Sequence, residues 1–277
     1  MTAATNSSVG ATSAKSATEQ VLCEISAQGV ASIILNRLEV HNAFDDKLIG
    51  EILAVLDEIN ANEQVRVVVL RSNGKHFSAG ADLGWMKRMA QYSFEDNFND
   101  AGELARLMHT LNNLSKPTIA LVQGAAYGGA VGLAACCDIC IATDRARFCL
   151  SEVKIGLSPA VISPFVVAAM GERAARRYFL TAEVFDGDEA VRLGLAHMVV
   201  GQDDLESTAD DMVQKLLANS PQSVRRTKEL IARVAKSPID NEVIEYTQRL
   251  IAEIRVSEEG QEGLGAFFDK RAPGWQQ

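Results

Sequence analysis

The sequence has no long apolar run. Nothing in it approaches the roughly 20 consecutive apolar residues of a membrane-spanning helix, although 47% of its 277 residues are hydrophobic. That apolar material is expected in a core, and the length suits one large domain or a core with a smaller helical part. Positive charge is also scarce: 27 Lys and Arg stand against 36 Asp and Glu, a net charge of −9. This excess argues against a nucleic-acid or anionic-membrane partner, while leaving room for a local basic patch facing a phosphorylated group. The five cysteines (Cys23, Cys136, Cys137, Cys140 and Cys149) are odd in number and lie in apolar sequence. They make no disulfide framework and are expected as reduced, buried thiols. Cys137 and Cys140 form a C-x-x-C, but no second pair or suitably spaced histidine completes a metal site. No metal is expected. Also missing are G-x-G-x-x-G, a P-loop, H-E-x-x-H and G-x-S-x-G, with the chemistries that they carry. Residues 1–18 lack both an apolar h-region and arginine, so a flexible tail is expected there and a cytoplasmic location for the protein.

What is present is organised around Gln123 to Asp138, QGAAYGGAVGLAACCD. The apolar run Thr118 to Val122 leads in and the small residues Ala130 to Ala135 lead out, which predicts strand, turn, helix. Gly124, Gly128 and Gly129 allow the backbone to turn tightly and to approach a ligand. Amides at the start of the helix have no internal partner and sit at the positive end of its dipole. Such a turn can hold an anion, or an oxygen that becomes anionic during a reaction. A tight turn that packs a helix closely on a sheet reads the same way. A second turn of this layout, Ser72 to Leu83 (SNGKHFSAGADL), follows the apolar run Val65 to Leu70 and leads to a helix start near Asp82. Two such turns at neighbouring strand ends can aim backbone N–H groups at one point, Ala81 and Gly129 being the natural donors. His76 reads equally well as loop packing.

Elsewhere the pattern predicts strands at Val21–Ile25, Ala31–Leu35 and Asp138–Ala142. Asp45 or Asp46 caps a helix with Leu48, Ile49, Ile52, Leu53, Leu56 and Ile59 on one face. A helix over Phe94 to Leu114 ends before Lys116-Pro117. Further helices are expected over Val161 to Met170 and the following GERAARRYF, Asp188 to Leu195, Leu205 to Ala218, Pro221 to Val234, Glu242 to Ile254 and Glu262 to Arg271. Glu152, among apolar and small residues after a strand, suits acid/base work if burial raises its pKa. A capping or salt-bridged role fits the same residue types.

From about Leu22 to Arg271 the chain resembles the crotonase superfamily, the enoyl-CoA hydratase/isomerase family, in LNRLEVHNAF, HFSAGADL, KPTIALVQGAAYGGAVGLAACCDI, FCLSEVKIGLSP, DEAVRLGLAHMVV and EGLGAFFDKR. ADLGWM, CCDI and AVISPF are similar to the methylglutaconyl-CoA and carboxygeranoyl-CoA hydratases. The resemblance implies an α/β fold, a spiral of ββα units over 19–200 with a helical trimerisation part over 201–277, in homotrimers or hexamers. It implies an acyl-CoA substrate, coenzyme A being part of that substrate and no separate cofactor being needed. The thioester oxygen would sit between the amides of Ala81 and Gly129, each worth roughly 3–4 kcal/mol in the transition state. Family contacts to coenzyme A and substrate carry over to Val40, His41, Ala43, Ala79, Asp82, Leu83, Gly128 and Gly132, with Phe267 and Lys270 reaching in from a neighbouring subunit.

One position departs from the pattern. The typical hydratase uses two glutamates; the second matches Glu152, but the first falls on Gly132, which has no side chain. Glu152 alone could move the proton, a distal substrate carboxylate could help hold the water, or the reaction could be double-bond isomerisation. Ser151, Ser158 and Tyr127 are near enough in sequence to position water, or are structural. Hydration leads these readings, with isomerisation, thioester hydrolysis and a catalytically idle CoA- or RNA-binding role as alternatives. The acyl pocket is expected from Trp85, Met86, the loop through Asn97 and Val161–Phe165, with Lys87 or Arg88 facing a distal carboxylate or solvent.

Overall fold

The computed structural model describes residues 20–276, so the tail expected over 1–18 lies outside the described residues. Among the described residues there are nine strands and ten α-helices. The strands are β1 (Val21–Ile25), β2 (Val30–Leu35), β3 (Val67–Ser72), β4 (Thr118–Val122), β5 (Ala125–Tyr127), β6 (Ile139–Thr143), β7 (Arg147–Cys149), β8 (Phe185–Asp186) and β9 (Met198–Val200). The helices are α1 (Asp46–Ala61), α2 (Leu83–Met89), α3 (Phe94–Asn112), α4 (Gly129–Cys136), α5 (Ser163–Thr181), α6 (Gly187–Arg192), α7 (Leu205–Leu217), α8 (Pro221–Val234), α9 (Asn241–Val256) and α10 (Glu258–Asp269).

Six strands form one sheet in the order β1-β2-β3-β4-β6-β9, and β5-β7-β8 form a second, smaller one. β1 pairs antiparallel with β2; every later neighbour in the large sheet is parallel. The near-continuous apolar runs of β3, β4 and β6 follow from burial on both faces. Val68, Leu70, Ala120, Val122, Cys140 and Ala142 point into the main core beneath α1, α3 and α4. The alternate residues Val67, Val69, Ile119, Leu121 and Ile141 meet Leu205, Ala209, Val213 and Leu217 of α7 on the other side. The period of two thus divides each strand between two hydrophobic layers.

The strand expected at Val65–Leu70 sits two residues later, because Val65 and Arg66 belong to the turn that enters it: Val65 N–H donates to Asn62 O and Arg66 N–H to Gly29 O. The two helical stretches expected after Val161 are both present within the span labelled α5 and meet at a kink at Gly171, whose φ of 78° is non-helical. Burial holds the cysteine thiols up: Cys140 is pushed to about 12 and Cys137 well above the ordinary thiol range. These thiols are apolar packing groups.

The C-terminal segment is tied to the sheet by Arg66, which precedes β3. Its guanidinium donates to the carbonyls of Leu217 (2.7 Å), Asn219 (3.0 Å) and Trp275 (3.2 Å). One cation therefore satisfies the frayed end of α7 and the chain terminus together. Replacing Arg66 with Met should lower unfolding free energy by about 2–4 kcal/mol, given that hydrogen bonds to a charged group contribute roughly 1.5–3 kcal/mol each and overlap here. An unchanged urea midpoint would show that water replaces the guanidinium without loss.

Candidate active site

The two glycine-containing turns lie side by side. Ser78 N–H donates to Ala125 O (3.0 Å) and Tyr127 N–H to Ser78 O (3.1 Å), a short parallel ladder between the loop after β3 and β5. A second ladder holds the other flank: Phe44 N–H donates to Gly80 O and Asp82 N–H to Phe44 O, each at 2.7 Å. These rungs bracket Ala81, so its own N–H points away from Phe44. No acceptor among the described residues takes that N–H. Phe44 also links the turns through its ring, 3.7 Å from where a Cβ on Gly129 would lie.

Gly129 opens α4, and its N–H likewise has no acceptor among the described residues. The preceding Gly128, at φ 54° and ψ −118°, makes no side-chain cap and takes a conformation that residues with a Cβ rarely adopt. A second contact bears on the same position. A Cβ on Gly128 would stand 3.1 Å from Oε1 of Glu152. The carboxyl group of Glu152 thus lies directly over the turn that presents the Gly129 amide.

Glu152 begins a short 3-10 turn after β7. Its Oε2 is buried with no hydrogen-bond partner. Burial pushes its pKa above the ordinary 4.5, against a smaller opposing effect of a backbone hydrogen bond. Among the described residues neither a helix cap nor an ion pair engages this side chain.

Across α4, Gly132 faces packing rather than a ligand. A Cβ there would meet Ile162 Cγ2 at 2.5 Å and Met108 Sδ at 3.0 Å. Ile162 is 3% exposed and Met108 fully buried. The place of the missing first glutamate is therefore an apolar wall, not a vacancy that water or a substrate group could enter.

The other expected positions divide into three groups. Val40, His41 and Ala43 lie on the loop before α1, with His41 O accepting from Ala79 N–H (3.0 Å); Ala79 and Leu83 are exposed beside it. Asp82 caps α2 through Oδ1, which accepts from Gly84 N–H (2.7 Å) and Trp85 N–H (3.0 Å). Phe267 and Lys270 are at the end of α10, which packs on α8 and α9, and Phe267 is exposed there. His76 is a loop-packing residue, its Nδ1 accepting from Ala125 N–H at 3.0 Å. Trp85 is drawn into the core, where its indole N–H donates to Asp100 (3.0 Å) and pins α2 to α3. Arg88 is paired with Asp46.

Two backbone N–H groups without acceptors and one desolvated carboxyl group thus lie on adjoining turns. Comparison with known proteins shows the family. The profile of the enoyl-CoA hydratase/isomerase family matches residues 25–277. The chain belongs to the enoyl-CoA hydratase/isomerase family. A putative enoyl-CoA hydratase of Thermus thermophilus is 35% identical over 246 residues, covering 88% of this chain and 96% of that one. The solved structure of an enoyl-CoA hydratase from Shewanella pealeana superposes with a TM-score of 0.90 at 53% identity, covering 92% of this chain and 96% of that one. A trans-2-decenoyl-[acyl-carrier-protein] isomerase of Streptococcus mutans is 29% identical over 247 residues, 88% of this chain and 94% of that one. The fold of this family member is accordingly the crotonase fold, with its C-terminal helical part.

Sequence reasoning singled out neither Arg37 nor Asn42, which appear there only within LNRLEVHNAF. Asn42 is buried at φ 56° and donates to the carbonyls of Asn73 (2.9 Å) and His76 (3.0 Å). Its tolerance of left-handed backbone was the one signal available.

Two outcomes follow for this family member. Gly132→Ala should destabilise by about 1–3 kcal/mol through overpacking, despite alanine's better helix propensity; an unshifted denaturation midpoint would show that Ile162 and Met108 yield freely. Glu152 titrates higher when folded than its ordinary 4.5, so charging it disfavours the folded state. That penalty is absent below the unfolded pKa, grows as pH rises through the folded one, and is complete above it. Glu152→Gln should therefore raise the melting temperature at neutral pH, with the gain vanishing toward pH 4.5; a gain independent of pH would contradict the burial argument.

Proposed function

We propose that the chain adds water across the α,β double bond of an enoyl-CoA thioester, with Glu152 as its lone acid/base. The observation that carries this is the placement of a desolvated carboxyl, its Oε2 without a partner, over a turn whose amide is free, with a second free amide at Ala81 on the adjoining turn. The thioester oxygen accepts from Ala81 N–H and Gly129 N–H. The Glu152 carboxylate takes a proton from water as the water oxygen bonds to Cβ, and the displaced electron pair moves through Cα to the thioester oxygen. Glu152 then returns the proton to Cα, and charge leaves the oxygen. The two amides favour the enolate more than the ground state, which is how they speed the reaction.

Val40, His41, Ala43, Ala79, Asp82 and Leu83 are the contacts we assign to coenzyme A and the thioester arm, with Phe267 and Lys270 supplied by a neighbouring copy in a homotrimer or hexamer. The exposed apolar side chains Ile231, Val256, Phe267 and Phe268 of α8–α10 support such an assembly. A branched or carboxylated, methylglutaconyl-like acyl group is the substrate we favour, supported by ADLGWM, CCDI and AVISPF. A second reading has its own support. With Ile162 and Met108 closing the other flank, one carboxylate moving a proton from Cα to Cγ would make the protein a Δ3-Δ2 isomerase.

Turnover in heavy-oxygen water with 3-methylglutaconyl-CoA and crotonyl-CoA separates the two, because only hydration places the label in the product. Glu152→Gln should lose about 10²–10⁴ in kcat while acyl-CoA binding survives. Near wild-type turnover by that variant would remove Glu152 from the chemistry. Free thiol release would instead mark thioester hydrolysis.

A further inference from the structure

Arg37 does not line the proposed oxygen site, yet its contacts converge on it. Its side chain is 11% exposed. Nη1 donates to Ala43 O at 2.8 Å and lies 3.0 Å from Asp45 Oδ2, while Nη2 reaches Asp82 Oδ2 at 3.4 Å. Both carboxylates are helix caps, and in each the other oxygen does the capping. Asp45 Oδ1 accepts from Leu48 N–H at the start of α1, and Asp82 Oδ1 from Gly84 and Trp85 N–H at the start of α2. The guanidinium fork therefore spans the two segments whose ladder aims the Ala81 amide. Its own backbone N–H is held by Asn42 Oδ1 at 2.8 Å, and Asn42 in turn grips the loop after β3.

Charge matters here as much as geometry. Asp82 is the residue after Ala81, and its carboxylate would oppose negative charge growing on an oxygen bound at the Ala81 amide. Arg37 offsets that carboxylate and the one on Asp45 from a partly buried site, where screening by water is reduced.

We propose that Arg37 is a positioning residue for the reaction: by bridging the capping carboxylates of Asp45 and Asp82 it aims the Ala81 amide and shields the developing oxyanion from Asp82. This rests on the oxyanion reading given above. Lysine cannot replace the fork, having one point charge where two carboxylates must be met.

The test uses the full-length chain with crotonyl-CoA. Arg37→Met should lower kcat about 10–100-fold, the scale of a small misplacement in a reacting array, with KM changed less than about twofold. Adding Asp82→Asn, which keeps a capping oxygen and removes the charge, should recover part of that kcat. The decisive readout is the infrared carbonyl stretch of thioester-labelled ¹³C crotonyl-CoA bound in a Glu152→Gln background. It should shift down on binding, and Arg37→Met should return it toward the free value; Arg37→Lys should fall between and serves in its place if the Met variant does not fold. A shift kept in full by the Arg37 variants, or a lower melting temperature with an unmoved stretch, overturns the positioning role alone. No shift with Arg37 intact would instead overturn the oxyanion reading beneath it.

Discussion

The site depends on two peptide N–H groups that the fold leaves without partners. Folded proteins pair almost all such groups, because a buried amide facing nothing is costly. Here the amides of Ala81 and Gly129 are left free by construction. The Phe44 ladder consumes the polar groups on either side of Ala81, and a helix start leaves Gly129 with no carbonyl one turn back. Ala81 is exposed and Gly129 half-buried, so both free N–H groups sit at the surface of the fold rather than in its core. Preorganisation of this kind is effective because the donors need not reorient when charge appears.

Much of this was legible in the chain. The apolar stripe of α1 and a cap at Asp45 or Asp46, the span of α8, and the strand–turn–helix around Gly129 follow from period and capping chemistry alone; the structure selects Asp45. So did Ala81 and Gly129 as the donors to examine, because two small-residue turns after neighbouring strands can aim backbone N–H groups at one point, although close helix packing reads the same way. The short strands β5, β8 and β9 were not legible, since two or three residues carry no period and owe their extension to the neighbours that they pair with. Nor were Arg37 and Asn42. Their importance comes from partners such as Asp82, 45 positions away, and local propensity holds no record of such pairings.

The departure at Gly132 gains its meaning from the structure. In sequence, a glycine where a carboxylate is usual could mean an open space waiting for water or for a group on the substrate. The close approach of Ile162 and Met108 excludes that. Glycine is the residue that lets α4 lie against α3 and the start of α5, and the surface it presents is hydrocarbon.

That packing bears on Glu152 directly. A second carboxylate nearby would add like-charge repulsion to any shift of its pKa, and the two groups would titrate as a pair. With hydrocarbon in its place, desolvation is the main cause of the upward shift, and Glu152 titrates as a single site. Its surroundings also draw a distinction between the two charges of the reaction. The carboxylate is poorly solvated and gains by taking a proton, while the oxygen opposite meets two fixed dipoles and gains by becoming negative. On the proposed hydration, proton transfer toward Glu152 and charge transfer toward the amides are therefore favoured by the same geometry.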